Sequence, residues 1–251
     1  MRRFYLPPAQ CQSGSLALTG SEAHHAAGVL RVKPGETVAV LDGIGGEYTC
    51  RVNSVASKKI LLDVESVARD PAPACRVTLV QAVPKGGIFE AIVQKATELG
   101  VARVVPLLSE RVAVRLEGSA AAHKHEKWQH TAVEAIKQCG QRWLPEVTAP
   151  LTLPQWLARR ESFDLPLFGS LQEDRRHARQ FFAAFERAHQ RRPASVCVWI
   201  GPEGDFSPAE VESIRQTGAL PITLGPLILR SETAATFALS IINYELQAPL
   251  P

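Results

Sequence analysis

The stretch CRVTLVQAVPKGGIFEAIVQKATELGVARVVPLL, residues 75–108, decides the fold class of this chain. It begins with a continuous apolar run, passes into a helical pattern that ends just before Gly100, and returns to an apolar run at 101–108. Apolar runs without alternation are typical of strands that are buried on both faces, as in parallel sheets. A strand, a helix and a second strand in this order predict a βαβ unit.

The same alternation of strands and helices continues to the end of the chain. Further strands are predicted at 164–169, 195–201 and 220–225, and further helices at 123–141, 174–190, 207–218 and 231–247. We therefore predict an α/β domain over residues 75–251.

The first 70 residues follow a different pattern. Short runs rich in Val, Ile and Thr are separated by turn signals such as Pro34-Gly35 and the DGIGGE segment at 42–47. This pattern predicts a small antiparallel β-barrel over residues 1–70, interrupted by one helix with Ser21 as its N-cap. The segment RDPAPA at 69–74 is predicted to be a linker, because closely spaced prolines suit neither a helix nor a strand.

Composition excludes several classes of protein. With 251 residues, 45% of them hydrophobic, and a net charge of +3, the chain is predicted to be soluble and globular, with one large domain or two smaller ones. No apolar run approaches the roughly 20 residues that span a bilayer, and the N-terminal apolar stretch is too short for a secretory signal. We expect residence in the cytoplasm and no membrane partner.

Metal and disulfide chemistry are not indicated. The five cysteines are widely spaced and include no C-x-x-C pair. His123, His125 and His130 lack a Cys or carboxylate at the spacing of a zinc site, so no metal is predicted. Residues 75–150, where these histidines lie, carry 10 Lys and Arg against 7 Asp and Glu. This excess is compatible both with a phosphate-facing surface and with a solvated helix face.

Three predicted strands end in short loops that contain glycine. These loops are LFGS at 167–170, GPEGD at 201–205 and LGPLIL at 224–229. Ligands in open α/β sheets bind at the carboxyl ends of the strands, so the three loops could converge on one ligand. From the local pattern alone, a binding loop and an ordinary turn are equally supported.

Charged and polar residues surround the starts of the last two helices. Ser207 and Glu210 have the spacing of a capping box, which explains the residues after GPEGD without a ligand. Arg230 and Glu232 interrupt an apolar run where the last helix begins. They could face a ligand, or they could form an ion pair with each other at the helix start.

Common nucleotide-binding and hydrolase motifs are absent. The segment GIGGEY at 43–48 lacks the last glycine of G-x-G-x-x-G because Tyr48 occupies that position. The chain has no P-loop and no G-x-S-x-G motif. Dinucleotide, nucleotide-hydrolase and serine-hydrolase functions are therefore weakly supported.

Seven motifs, in order along nearly the whole chain, resemble the RsmE family of bacterial methyltransferases, which act on the uracil N3 of small-subunit (16S) ribosomal RNA. They are RFYL (3–6), HHAAGVLRVKPGE (24–36), KGGIFEAIVQKATELGV (85–101), SER (109–111), EAIKQ (134–138), GPEGDFS (201–207) and LGPLILRSETA (224–234).

The resemblance implies a PUA-like RNA-binding barrel at 1–70 and a SPOUT-type α/β domain with a trefoil knot at 75–251. It implies S-adenosylmethionine as cofactor, a homodimer, and 16S rRNA as substrate, either free or within the assembled small subunit. A last helix with two apolar faces, one containing Ala238 and the other Phe237, fits a subunit interface or burial within a single domain.

The resemblance also implies roles for individual residues. The expected cofactor contacts are Leu167, Gly169, Gly201, Glu203, Gly204, Leu224, Gly225, Leu229 and Thr233. The expected catalytic residues are Arg230 and Glu232. The expected RNA contacts are Arg2, Arg3, Arg31, Lys85, Lys95, Arg111 and Arg142.

The chemistry of uracil explains why such catalytic residues are needed. Methylation at N3 requires loss of the N3 proton and stabilisation of the negative charge on O2 and O4. Arg230 suits the stabilising role because its guanidinium stays charged, and Glu232 could accept the proton or orient Arg230. The target base must also leave its stack.

The chain departs from the family pattern at three positions: Asp205 where glycine is usual, and Leu227 and Gln141 where arginine is usual. A non-catalytic RNA-binding protein on the same fold, and a SPOUT methyltransferase that acts on another RNA base, remain as alternatives.

Overall fold

The computed structural model describes residues 1–12, 14–56, 58–112, 116 and 118–247. Contacts within the chain divide it into two units. The first comprises Met1–Ala72 and Val133–Leu144, and the second comprises Pro73–Ala132 and Pro145–Pro251.

The first unit contains a five-stranded sheet. Its strands are β1 (Arg3–Tyr5), β2 (Ser15–Thr19), β3 (Thr37–Leu41), β4 (Gly46–Ala56) and β5 (Lys59–Arg69). Their order is β1-β3-β4-β5-β2, and all pairs are antiparallel except β1 with β3. The prediction of a wholly antiparallel barrel is therefore wrong for β1, because the long connection between β1 and β3 permits parallel pairing. The predicted linker is wrong at Arg69, which is the last residue of β5.

The predicted helix of the first unit begins earlier than expected. Helix α1 (Gly20–His24) continues into a π-helical turn at His25–Val29. Its N-cap residue is Thr19, so the assignment of Ser21 as N-cap is wrong. Gly20 has a φ of +57°, which glycine adopts without a steric penalty, and the helix therefore starts directly after β2.

The DGIGGE segment forms the turn between β3 and β4 around a buried carboxylate. Asp42 is 1% exposed, and its Oδ1 accepts hydrogen bonds from the backbone N–H of Ile44 (2.9 Å) and Gly46 (2.8 Å). Its Oδ2 lies 3.4 Å from Nη1 of Arg69. A Cβ atom at Gly46 would lie 2.2 Å from Oδ2 of Asp42, so only glycine fits beside this carboxylate.

We expect Gly46→Ala to lower the free energy of unfolding by about 2 kcal/mol or more, because the added methyl displaces a buried, hydrogen-bonded carboxylate. Gly28→Ala is the matched control. A Cβ there would meet nothing closer than 3.8 Å, so a change within about 0.5 kcal/mol is expected. Urea denaturation measures both. Equal stability of the two variants would contradict the proposed packing at Gly46.

The second unit contains a seven-stranded sheet. Its strands are β6 (Arg76–Ala82), β7 (Arg103–Leu108), β8 (Glu146–Val147), β9 (Leu151–Thr152), β10 (Leu165–Gly169), β11 (Ser195–Ile200) and β12 (Leu220–Ile222). The order is β12-β10-β11-β6-β7-β8, β9 also pairs with β7, and every pair is parallel. The α/β prediction is confirmed, whereas the short elements between residues 146 and 157 were not predicted.

The helices of the chain after α1 are α2 (Ile88–Glu98), α3 (Gly118–Cys139), α4 (Leu153–Leu157), α5 (Ala178–His189), α6 (Pro208–Arg215) and α7 (Ser231–Gln247). Helix α3 is divided between the units at Val133. Lys137 lies in the part of α3 that belongs to the first unit and is 8% exposed. Its Nζ lies 2.7 Å from Oε1 of Glu22 in the same unit. None of the described helices is both long and apolar enough to cross a membrane.

An ion pair joins the segments that precede β10 and β11. The Arg191 guanidinium donates to both carboxylate oxygens of Asp164, at 2.7 and 3.0 Å, and the N–H of Ala194 donates to Oδ2 at 2.7 Å. These bonds favour the ionised carboxylate and lower the pKa of Asp164 to about 2. The predicted loops follow the carboxyl ends of the same strands, at the opposite edge of the sheet.

Candidate functional site

Three loops at the carboxyl ends of β10, β11 and β12 surround one cleft. The strands are adjacent and parallel, so their loops emerge at the same edge of the sheet. The lining residues are Gly169, Ser170, Leu171, Ile200, Gly201, Pro202, Glu203, Asp205, Leu224, Gly225, Leu227, Ile228, Leu229, Ser231 and Ala234. The predicted convergence of the three loops is therefore present.

Two of these loops have a glycine at their start, which leaves space beside the backbone there. A Cβ atom at Gly169 would lie 3.3 Å from both Ile200 Cδ1 and Leu224 Cδ1. A Cβ atom at Gly201 would lie 3.2 Å from Oδ1 of Asp205. Both separations are tighter than ordinary contacts, so side chains at these positions would take up space that the cleft uses.

The GPEGD loop forms its turn with aspartate at the position where glycine was expected. Asp205 has a φ of +60°, in the left-handed region that aspartate tolerates better than most residues. Its backbone N–H donates to the carbonyl of Pro202 (3.0 Å), and its Oδ1 accepts from the N–H of Phe206 (2.8 Å). These bonds give Asp205 the local support that a non-glycine residue needs in this conformation.

The third loop carries exposed apolar side chains. Gly225, with a φ of +104°, turns the chain after β12, and its N–H donates to Oγ1 of Thr223 at 3.2 Å. Leu227 is 73% exposed and Ile228 is 80% exposed. Both side chains border the cleft, so its rim on this side is apolar.

A chain of buried hydrogen bonds fixes the start of α7 beside the GPEGD loop. The side-chain amide of Gln81, at the end of β6, donates to Oγ of Ser231 at 2.8 Å. The Ser231 hydroxyl donates to the carbonyl of Gly201 at 3.1 Å. Ser231 is 4% exposed and lines the cleft. Its role was not predicted, because a serine at a helix start is ordinarily explained as a cap.

Two family models match separate parts of the chain. The model of an RNA methyltransferase domain matches residues 70–243, and the model of an RNA methyltransferase PUA domain matches residues 18–65. The ribosomal RNA small subunit methyltransferase E of Bacillus subtilis is 30% identical over 249 residues, which cover 98% of this chain and 97% of that protein. The one from Synechocystis is 33% identical over 98% of this chain and 78% of that protein.

The chain belongs to the ribosomal RNA small subunit methyltransferase E family.

Two solved structures of methyltransferases have a similar fold. A methyltransferase from Legionella pneumophila, in complex with the bound cofactor SAM, has a TM-score of 0.87 and 32% identity, and the match covers 96% of both chains. A ribosomal RNA small subunit methyltransferase E from Neisseria gonorrhoeae, bound to S-adenosyl methionine, has a TM-score of 0.83 and 26% identity over 97% of both chains.

Six of the nine cofactor contacts expected from the family line the cleft. They are Gly169, Gly201, Glu203, Leu224, Gly225 and Leu229. Of the others, Leu167 is fully buried within β10, and Gly204 and Thr233 are not among the lining residues. The lining residues that were not expected include Ser170, Pro202 and Ala234.

The two expected catalytic residues lie on either side of Ser231 in the sequence, but neither of them lines the cleft. Arg230 lies between Leu229 and Ser231, which both line it, and its own side chain is exposed. Glu232 is half-buried in the first turn of α7. Within the described residues, neither side chain forms an ion pair or a side-chain hydrogen bond, and the possible Arg230–Glu232 ion pair is not formed.

Most of the expected RNA contacts are engaged within the protein. Arg2 pairs with Glu36, Arg3 with Glu47, Lys95 with Glu98 and Arg142 with Asp70, at 2.6, 3.9, 2.9 and 2.7 Å respectively, and Arg111 donates to the carbonyl of Gly204 at 2.6 Å. Arg31 and Lys85 are exposed, and they form no ion pair with any described residue.

We expect Ser231→Ala to lower the free energy of unfolding by about 1–2 kcal/mol, because it removes the buried hydroxyl between Gln81 and Gly201. Ser240→Ala is the control in the same helix. The exposed Ser240 hydroxyl only donates to the carbonyl of Thr236, and a change within about 0.5 kcal/mol is expected. Chemical denaturation compares the two, and an equal effect would show that the hydrogen-bond chain adds little stability.

Proposed function

We propose that this chain transfers a methyl group from S-adenosylmethionine to N3 of one uridine in 16S ribosomal RNA. The observation that carries the proposal is the cleft formed by the three loops after β10, β11 and β12. The family and the cofactor-bound solved structures support it.

The cleft suits S-adenosylmethionine in its chemistry. The open bases at Gly169 and Gly201 let a ligand approach the backbone, and the carbonyl and N–H groups there can bind the polar edges of an adenine. Leu224, Leu229 and Ala234 offer apolar surface to the ring. Glu203 supplies a carboxylate for ribose hydroxyls or an amino group.

The proposed chemistry requires two tasks of the protein. S-adenosylmethionine, when bound, supplies an electrophilic methyl group on a sulfonium. As N3 forms its bond to the methyl carbon, the carbon–sulfur bond breaks, its electron pair stays on sulfur, and the N3 proton leaves to a base. The protein must hold the uracil against the methyl group and accommodate the charge that develops on O2 and O4.

Arg230 is proposed to stabilise the negative charge that develops on O2 and O4. Its guanidinium has no partner among the described residues, so its donors are free for O2 or O4. Glu232 makes no bond to Arg230, so we assign to it the acceptance of the N3 proton rather than the orientation of Arg230. The uracil must leave its stack before either contact can form.

The architecture implied by the family is part of the proposal. We assign a PUA-like RNA-binding barrel to residues 1–70 and a SPOUT-type domain with a trefoil knot to residues 75–251. A homodimer is supported by Phe237 and Tyr244 of α7, which are 44% and 72% exposed. Ribosomal RNA as substrate supports action in the cytoplasm.

We expect primer extension on 16S RNA treated with the enzyme and cofactor to stop at a single uridine, because methylation at N3 blocks Watson–Crick pairing. Read-through at every position, with cofactor affinity retained, would favour a non-catalytic RNA-binding protein. A stop at a different base would favour the other methyltransferase alternative.

We expect Arg230→Ala to abolish turnover while the Kd for S-adenosylmethionine stays within about tenfold, or about 1.4 kcal/mol. Arg179→Ala is the control, because Arg179 is another exposed arginine without an ion-pair partner among the described residues. It should leave turnover unchanged. Normal turnover of the Arg230 variant would disprove the proposed role.

A further prediction concerns RNA affinity. Arg31→Gln should weaken RNA binding by about 3–10-fold and lower the slope of log K against log salt concentration by about 0.7, because one unpaired charge is lost. Arg2→Gln should have less effect, since Glu36 already neutralises Arg2. Filter binding at several salt concentrations measures both. A larger effect from Arg2 would reverse our assignment of these arginines.

A further inference from the structure

The loop after β7, residues 109–111, is bound at two points, one at the start of α6 and one in the GPEGD loop. It carries the SER motif, and none of its residues lines the cleft. The first point is the carboxylate of Glu210 in α6, and the second is the guanidinium of Arg111. Both contacts join residues that are about one hundred positions apart in the sequence.

Glu210 does more than complete a capping box. Its Oε2 accepts from the N–H of Ser207 (2.9 Å), as a capping box requires, and also from the hydroxyl of Ser109 (3.0 Å). Its Oε1 accepts from the N–H of Glu110 (3.0 Å). The carboxylate is 3% exposed, so these three donors replace its hydration. It therefore fixes Ser207, the N-cap of α6 two residues after the GPEGD loop, to the loop after β7.

Arg111 holds the middle of the GPEGD loop. Its Nη1 donates to the carbonyl of Gly204 at 2.6 Å, a short bond in which the donor is charged. Glu203 and Asp205 line the cleft on either side of Gly204, which does not line it. Arg111 does not line the cleft either, so it binds this loop from outside the cleft.

From this geometry we infer that Arg111 and Glu210 are positioning residues for the cofactor. The inference rests on the proposed function, because it assumes that S-adenosylmethionine binds in the cleft. From outside the cleft, Arg111 holds the GPEGD loop and Glu210 holds the N-cap of α6 that follows it, so that Gly201, Glu203 and Asp205 keep one conformation for the ligand. The expected role of Arg111 as an RNA contact is replaced by this one.

Loss of the Arg111 bond should reduce the fraction of molecules whose loop has the binding conformation. The apparent Kd rises as the inverse of that fraction. Arg111→Ala should therefore raise the Kd for S-adenosylmethionine by about tenfold. At saturating cofactor, kcat should stay within about twofold, because Arg111 does not touch the reacting atoms.

The experiment measures three quantities for the wild-type protein and for Arg111→Ala: the cofactor Kd by calorimetry, KM against kcat, and RNA affinity against salt. Arg111→Lys should recover part of the cofactor affinity, because an ammonium can also donate to a carbonyl. Glu210→Gln, which keeps the volume but loses one acceptor oxygen, should raise the Kd in the same direction. Arg191→Ala is the control, an arginine that joins two segments at the opposite edge of the same sheet.

The cofactor Kd of the Arg111 variants decides the question. A rise of fivefold or more in Arg111→Ala, with the RNA salt slope unchanged and with the control near wild type, supports the inference. A Kd within twofold of wild type overturns it, and a salt slope lowered by about 0.7 would then assign Arg111 to a phosphate. Failure of the wild-type protein itself to bind S-adenosylmethionine would instead refute the proposed function.

Discussion

Parallel pairing of β10, β11 and β12 is the constraint on which the site depends. Parallel strands in register end at one edge of a sheet, so the loops after them must emerge side by side. Other residues support these three loops. Glycine leaves space at the start of two of them, and Ser231 joins the start of α7 to Gly201. Glu210 joins the start of α6 to the loop after β7. At the opposite edge of the sheet, Asp164 pairs with Arg191 beside the amino ends of β10 and β11.

The elements whose determinants are local in sequence were predictable. The βαβ unit at 75–108, the capping box of Ser207 and Glu210, and helix α7 were all predicted from residue spacing, and the structure confirms them. Where two local signals competed, the prediction failed. Ser21 was predicted as the helix N-cap, but Gly20 can adopt a positive φ, and the helix begins two residues earlier than predicted, with Thr19 as its N-cap.

Contacts between distant residues could not be read from the sequence. The sequence does not show whether a basic side chain faces solvent or an acceptor. Only the fold brings Glu36 to Arg2 and the Gly204 carbonyl to Arg111. All the arginines of the first unit except Arg31 have an acidic partner, and the sequence alone does not show these pairs. The candidate site was predictable as a set of loops, whereas the contacts of Ser231 and Arg111 required the three-dimensional structure.

The exposed pair Leu227 and Ile228 has a thermodynamic consequence. Apolar side chains that are 73% and 80% exposed order the water around them, and that water is released when a ligand or a protein surface covers the loop. Burial of apolar area makes the heat capacity change of association negative. Occupation of this rim should therefore make the enthalpy of binding more favourable as temperature rises.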